Sequence, residues 1–231
     1  MEYSTTYSQE RILTENAFIR RVYNWMVLGL GFTGIVSFFV TSNKNLAWII
    51  YGNSFLFFGL IILELALVFG LSGGINRMQV STAVFIFLLY SALNGLTLSV
   101  IFLAYTSASV TSTFFITAGT FAVVSFWGYT TKRNLTSWGH FLFMGLIGII
   151  LASLVNFFLH SPGVYWAVTY LGVMIFVGLT AYDTQKLKEM AVHGFGNGET
   201  ESKAAVMGAL RLYLDFINLF LLLLRLLGRR R

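Results

Sequence analysis

The sequence predicts an all-α membrane protein with seven transmembrane helices, three hairpins packed around a central C-terminal helix. Three observations predict it. The 231 residues hold only 15 Lys and Arg and 9 Asp and Glu, far below the roughly 25% charge of a soluble domain. Hydrophobic residues make up 57%, above the roughly 45–50% of soluble chains. Apolar runs of about 20 residues, long enough to cross a bilayer, recur along the chain with short polar joins. Lipid forces every backbone group to pair internally. The runs are too long, and too free of alternation, for barrel strands.

Residues 1–21 are polar and carry both charge signs. They are read as a cytoplasmic N-terminal segment ahead of a single transmembrane domain, 22–231. The first span, 22–42, opens after Arg20 and Arg21. It has no small-residue cleavage pattern and is read as retained rather than as a signal peptide. The next spans are 46–71, 79–105, 109–130, 138–160 and 163–184. A polar, Gly-rich stretch at 185–204, with Gly194, Gly196, Asn197 and Gly198, reads as a flexible linker. The last span is 205–228. Trp25, Trp48, Trp127, Trp138 and Trp166 lie near span ends, as interface anchors do. Glycines within spans read as packing positions. Asn94, Asn156 and Asn218 are polar groups at membrane depth that bond across helices or line a pore.

Lys and Arg collect on the cytoplasmic side of a membrane protein. With the N-terminus inside, nine of them (Arg11, Arg20, Arg21, Arg77, Lys132, Arg133, Lys186, Lys188, Lys203) lie inside, and the outer loops hold only Lys44. The misfit is Arg229–Arg231: either seven full spans place the tail outside, the favoured reading, or the last segment is re-entrant and returns it. The net charge of +6 is thus read as topology, not as nucleic-acid binding. The absence of cysteine removes disulfides, thiol catalysis and thiolate metal sites. His140, His160 and His193 are scattered and read as interfacial side chains. No cofactor is expected, and no enzymatic activity.

Three acids fall inside apolar runs: Glu64, Asp183 and Asp215. Ionisable groups at membrane depth are functional candidates by default. The last span holds ten leucines together with Arg211, Asp215 and Arg225. Its three charges cost about 8–10 kcal/mol on an insertion scale, while its leucines contribute only about 5. This helix is expected inside the bundle, where its charges find partners. Arg211, four residues before Asp215, is the nearest cation in sequence; Arg77 is another candidate. Two carboxylates in one buried site cannot easily both ionise, so they titrate as a pair. Deprotonated, such a pair offers oxygen ligands to a hard cation such as Ca²⁺. Proton and cation then compete for one site.

The runs Gly178-Leu179-Thr180-Ala181-Tyr182-Asp183-Thr184-Gln185 and Leu212-Tyr213-Leu214-Asp215-Phe216-Ile217-Asn218-Leu219-Phe220 resemble the two signature segments of the Bax inhibitor-1 (transmembrane Bax inhibitor motif) family. Tyr129-Thr130-Thr131-Lys132-Arg133-Asn134 looks bacterial. The resemblance implies seven helices around a central last helix, in the bacterial inner membrane. It implies a pH-sensitive passive Ca²⁺ leak pathway, with Asp183 and Asp215 as gate, pH sensor and metal site. It maps Glu64 and Arg225 onto a family glutamate and arginine, with Arg225 expected to pair with an acid. The family's latching arginine lies just past that glutamate; Arg77 is the only arginine near, at a different spacing. Arg211 departs from the family pattern.

The implied partners are the lipid bilayer, Ca²⁺ and protons. An alternative is an integral-membrane regulator or partner of a membrane-anchored ATP-dependent protease, with residues 1–21 as its handle. An intramembrane aspartyl protease is disfavoured, because Asp215 lacks a Gly-x-Gly context and no Pro-Ala-Leu segment exists; the sole proline is Pro162.

Overall fold

Asn43, Asn53, Thr106 and Asn197 each cap the start of an apolar helix. In chain order the computed structural model contains α1 (Glu2–Ser42), α2 (Lys44–Gly52), α3 (Ser54–Gly74), a 3-10 turn (Ile75–Arg77), α4 (Val80–Leu98), α5 (Ile101–Ala104), α6 (Ser107–Thr130), α7 (Thr136–Leu159), α8 (Pro162–His193) and α9 (Gly198–Leu227). It describes residues 2–231, and the side chains of residues 15–231 other than Lys44. Seven of these helices are long and apolar enough to cross a membrane. Among the described residues the only β-pairing is an isolated bridge between Tyr105 and Arg230.

Three expectations change. α1 runs unbroken across the boundary drawn at residues 21 and 22; side chains 1–14 of the N-terminal segment lie outside the described residues. The span drawn over 46–71 is two helices. Asn53 leaves the helical conformation, and its side chain accepts from the Leu56 N–H at 3.2 Å, capping α3. Asn43 does the same for α2, accepting from Asn45 and Leu46. The flexible linker over 185–204 shrinks to 194–197: α8 continues to His193, and Asn197 caps α9 through the Thr200 N–H at 2.8 Å. Polar residues extend both helices beyond their apolar parts.

The chain divides into two compact units. One contains residues up to Ala104 together with Met190–Tyr213. In α1 the buried residues Phe18, Val22, Met26, Gly29, Thr33, Ser37 and Val40 recur at three- and four-residue intervals, one face of a helix. That face packs on α4. Gly95 on α4 is required there: a Cβ would lie 2.7 Å from the Thr33 carbonyl oxygen. Ser37 donates to the Gly95 carbonyl at 2.7 Å across the same contact. α4 also packs on α3.

The other unit contains Tyr105–Glu189 and Leu214–Arg231. Its core gathers Leu142, Phe176, Leu179, Leu219 and Leu222. Phe114 and Phe121 of α6 meet Phe216 edge-on at 5.4 and 5.5 Å between centroids. Gly128 is a close approach between helices of this unit, since a Cβ there would collide with the Ala181 carbonyl oxygen of α8.

Burial grades the seven helices. Only 6% of the apolar stretch of α3 and of α7 is buried, against 72% for α9. Phe55, Phe58, Ile62 and Phe69 on α3, and Phe141, Met144 and Phe157 on α7, are exposed. An apolar surface of that extent is a lipid-facing one. α9 is apolar and buried nearly all round, as a core helix is.

Candidate functional site

Asp215 lies seventeen residues into α9 and twelve from its end, about 26 and 18 Å along the axis. It is buried, at 5% exposure, between Tyr213 and Phe216, which are buried too. Asp183 is half-buried on α8. Both aspartates belong to the same compact unit, as does Arg225. Glu64, Arg77 and Arg211 belong to the other.

The residues flanking Asp183 hold the turn between α6 and α7. Thr184 donates to Ser125 at 3.2 Å. Gln185 accepts from the Leu135 N–H and donates to the Arg133 carbonyl, both at 2.8 Å. Lys186 donates to Thr136 at 2.9 Å and pairs with Glu189 at 2.7 Å. Lys188 donates to the Tyr129 carbonyl at 2.9 Å and stands 4.7 Å from the centre of its ring. Its charge therefore meets the negative end of the α6 dipole. With Ala181 against Gly128, five positions between 181 and 188 clasp α6, α7 and their turn.

Glu64 anchors a polar network in the first unit. Buried at 9% exposure, it accepts from Thr97 at 2.8 Å and Asn94 at 3.3 Å. The Asn94 side-chain oxygen accepts from the Tyr213 hydroxyl at 3.1 Å. With its proton on Asn94, that hydroxyl accepts from Thr33 at 2.6 Å, and the Ser91 carbonyl, 2.8 Å from the same Thr33 oxygen, is the alternative acceptor for the Thr33 proton. The chain joins α3, α4, α9 and α1. Both protonation states of Glu64 are accommodated, because Thr97 also reaches the Asn94 carbonyl at 3.1 Å and can turn to it when Glu64 supplies the proton. The network ties these four helices together through side chains.

The arginines sit elsewhere than on these acids. Arg77 and Arg211 are exposed, Arg211 one turn before the buried Asp215. Arg225, expected to pair with an acid, instead stands over the Tyr165 ring at 5.5 Å. An aromatic face attracts a guanidinium without needing a buried carboxylate. Outside the spans, hydrogen bonding and charge at Tyr105, with Tyr165, raise the Arg230 guanidinium above its ordinary pKa. Burial pushes the Tyr51 hydroxyl up, against a hydrogen bond with Ser99 that lowers it.

Among the described residues no three His, Asp or Glu side chains gather closely enough to hold a metal ion. Ca²⁺ takes six to eight oxygens, more than two carboxyl groups supply. Sequence reasoning missed Thr33, Thr97 and Tyr165, and gave Gln185 no role beyond its place in a signature segment. Tyr213, a hydroxyl inside a leucine-rich helix two residues before Asp215, was the available signal.

The family described as "Inhibitor of apoptosis-promoting Bax1" matches residues 15–231. The chain is 51% identical over 216 residues to inner membrane protein YbhL of Escherichia coli strain K12, covering 93% of this chain and 92% of that one. It is 46% identical over 226 residues to an uncharacterized protein of Borreliella burgdorferi, covering 98% and 97%. A Rickettsia prowazekii protein is 42% identical over 233 residues, covering 98% and 96%. With its seven apolar helices and both signature segments in place, the chain belongs to the Bax inhibitor-1 family and is a multi-pass bacterial membrane protein.

Proposed function

We propose that this protein is a passive, pH-sensitive cation leak pathway of the inner membrane, carrying Ca²⁺, with Asp183 and Asp215 as its gate and sensor. It is read as a transport protein rather than an enzyme, with its N-terminus in the cytoplasm, where the Lys and Arg bias puts it. The observation that carries the reading is Asp215: a carboxyl at 5% exposure near the middle of the most buried helix, in one unit with Asp183. A charge there is retained against a cost of several kcal/mol. Two such carboxyls share a proton because like charges repel in low dielectric. Losing it creates an anionic oxygen site that a hard cation can occupy. Proton and cation then exclude each other, so cation flux rises as pH rises and the pair deprotonates.

Reconstitution in liposomes with a trapped Ca²⁺ dye tests this. The expected result is influx that increases with pH, and loss of that dependence in both Asp183→Asn and Asp215→Asn. Folded protein that gives no flux above empty liposomes at any pH overturns it.

One observation favours a second reading, a regulatory partner of a membrane-anchored ATP-dependent protease. α1 is 41 residues long, and about 20 suffice to cross the bilayer. Its polar first half is left over to serve as a handle. That reading survives a null flux result, so the same experiment separates the two.

A further inference from the structure

The end of α9 and the residues after it carry Arg225, Arg229, Arg230 and Arg231, all exposed. They are held in place. The Thr106 N–H donates to the Arg229 carbonyl at 3.1 Å, and the Arg229 N–H donates to Ser109 at 3.0 Å. Tyr105 and Arg230 form the antiparallel bridge. Arg230 stands 5.9 Å over the Tyr105 ring and donates to the Tyr165 hydroxyl at 3.1 Å, while Arg225 covers the Tyr165 ring. Two guanidinium groups thus converge on Tyr165 from the same helix end.

No side-chain carboxylate of this unit lies near them, and one terminal carboxylate cannot balance four guanidinium groups. Its side-chain acids are Asp183, Glu189 and Asp215. Asp215 lies ten residues from Arg225 on the same helix, about 15 Å away. Asp183 lies eighteen residues along α8 from Tyr165, about 27 Å. Glu189 is farther still and is paired with Lys186. The countercharge therefore comes from outside the unit. Trp166 and Tyr170, stacked at 5.9 Å and exposed, flank Tyr165 as an interfacial aromatic belt does, which sets the cluster at headgroup depth.

The charge pattern supports a bound anion rather than a topology signal. α9 is unbroken from Gly198 to Leu227 and crosses once. Its arginine end is opposite the end where Lys186, Lys188 and Lys203 collect, so these arginines work against the bias that orients the chain. Guanidinium forks match phosphate oxygens two at a time.

We propose that Arg225, Arg230 and Tyr165, with Arg229 and Arg231 beside them, form a binding site for the phosphate headgroup of an anionic phospholipid. The site is independent of ion flux. Its test is equilibrium binding of labelled phosphatidylglycerol and phosphatidylcholine to the full-length protein in detergent, with inorganic phosphate as competitor at constant ionic strength. The expected result is a preference for phosphatidylglycerol of about tenfold, a difference of about 1.4 kcal/mol. Arg225→Gln/Arg230→Gln removes that preference, and Lys132→Gln, an exposed cation of the same unit, keeps it. If the double variant does not stay monodisperse, Arg225→Gln alone is measured and is expected to lose at least half of the preference. Equal binding of the two lipids, or a folded variant indistinguishable from wild type, overturns the site. Displacement of phosphatidylglycerol by inorganic phosphate assigns the ligand to free phosphate and overturns the lipid.

Discussion

Tyr213 is the residue on which the first unit turns. Fully buried, it bonds to Asn94 and Thr33 and sits edge-on to Phe87 and Tyr90 at 5.9 and 5.6 Å. Tyr213→Phe keeps the ring contacts and deletes the hydroxyl, leaving the Asn94 side-chain oxygen short of a partner in a buried place while Thr33 turns to the Ser91 carbonyl. Hydrogen bonds between membrane helices contribute about 0.6 kcal/mol each on average and up to about 1.7. The variant is expected to lose about 1–2 kcal/mol and to melt several degrees lower in detergent. An unchanged Tm means the network adds nothing.

At the scale of elements, the break at Asn53 shows what hydropathy hides. Trp48-Ile49-Ile50 and Phe55-Leu56-Phe57 make the region read as one span, while Gly52-Asn53-Ser54 between them is a helix-breaking run whose asparagine caps α3. Asn53→Ala is expected to weaken the start of α3 by about 1 kcal/mol. Amide exchange at Leu56 should then rise about fivefold; an unchanged rate refutes the cap. The legible parts of the fold were those with local signals: seven apolar runs, and three acids where acids are rare. Asp183 and Asp215 stand out in the sequence as candidates for the same reason. What stayed hidden depends on partners far apart in sequence. Thr33 meets Tyr213 across 180 residues and Gln185 meets Leu135 across 50, and no periodicity records such a meeting. Arg225 was expected on an acid because charge suggests charge; an aromatic face serves as well and is invisible to a charge count. The linker over 185–204 was overdrawn because polar residues in a membrane chain resemble loops even where helices simply run on past the lipid.

At the scale of the whole molecule, the crossing of α9 fixes the side of the arginines. Alkaline phosphatase fused after Arg231 is expected to be active outside the cytoplasm, and the same reporter inserted at 194–197 inactive. Equal readings at the two positions rule out a single crossing. α8 is 32 residues long, about 48 Å, against roughly 30 Å of hydrocarbon, so part of it stands in water. The clasp around Asp183 has a mechanical meaning here. Ala181, Thr184, Gln185, Lys186 and Lys188 are each committed to α6, α7 or the turn between them, so Asp183 is mounted on a stator: it cannot travel without dislodging two other helices. In the gate proposed above, Asp183 is then the fixed member of the pair.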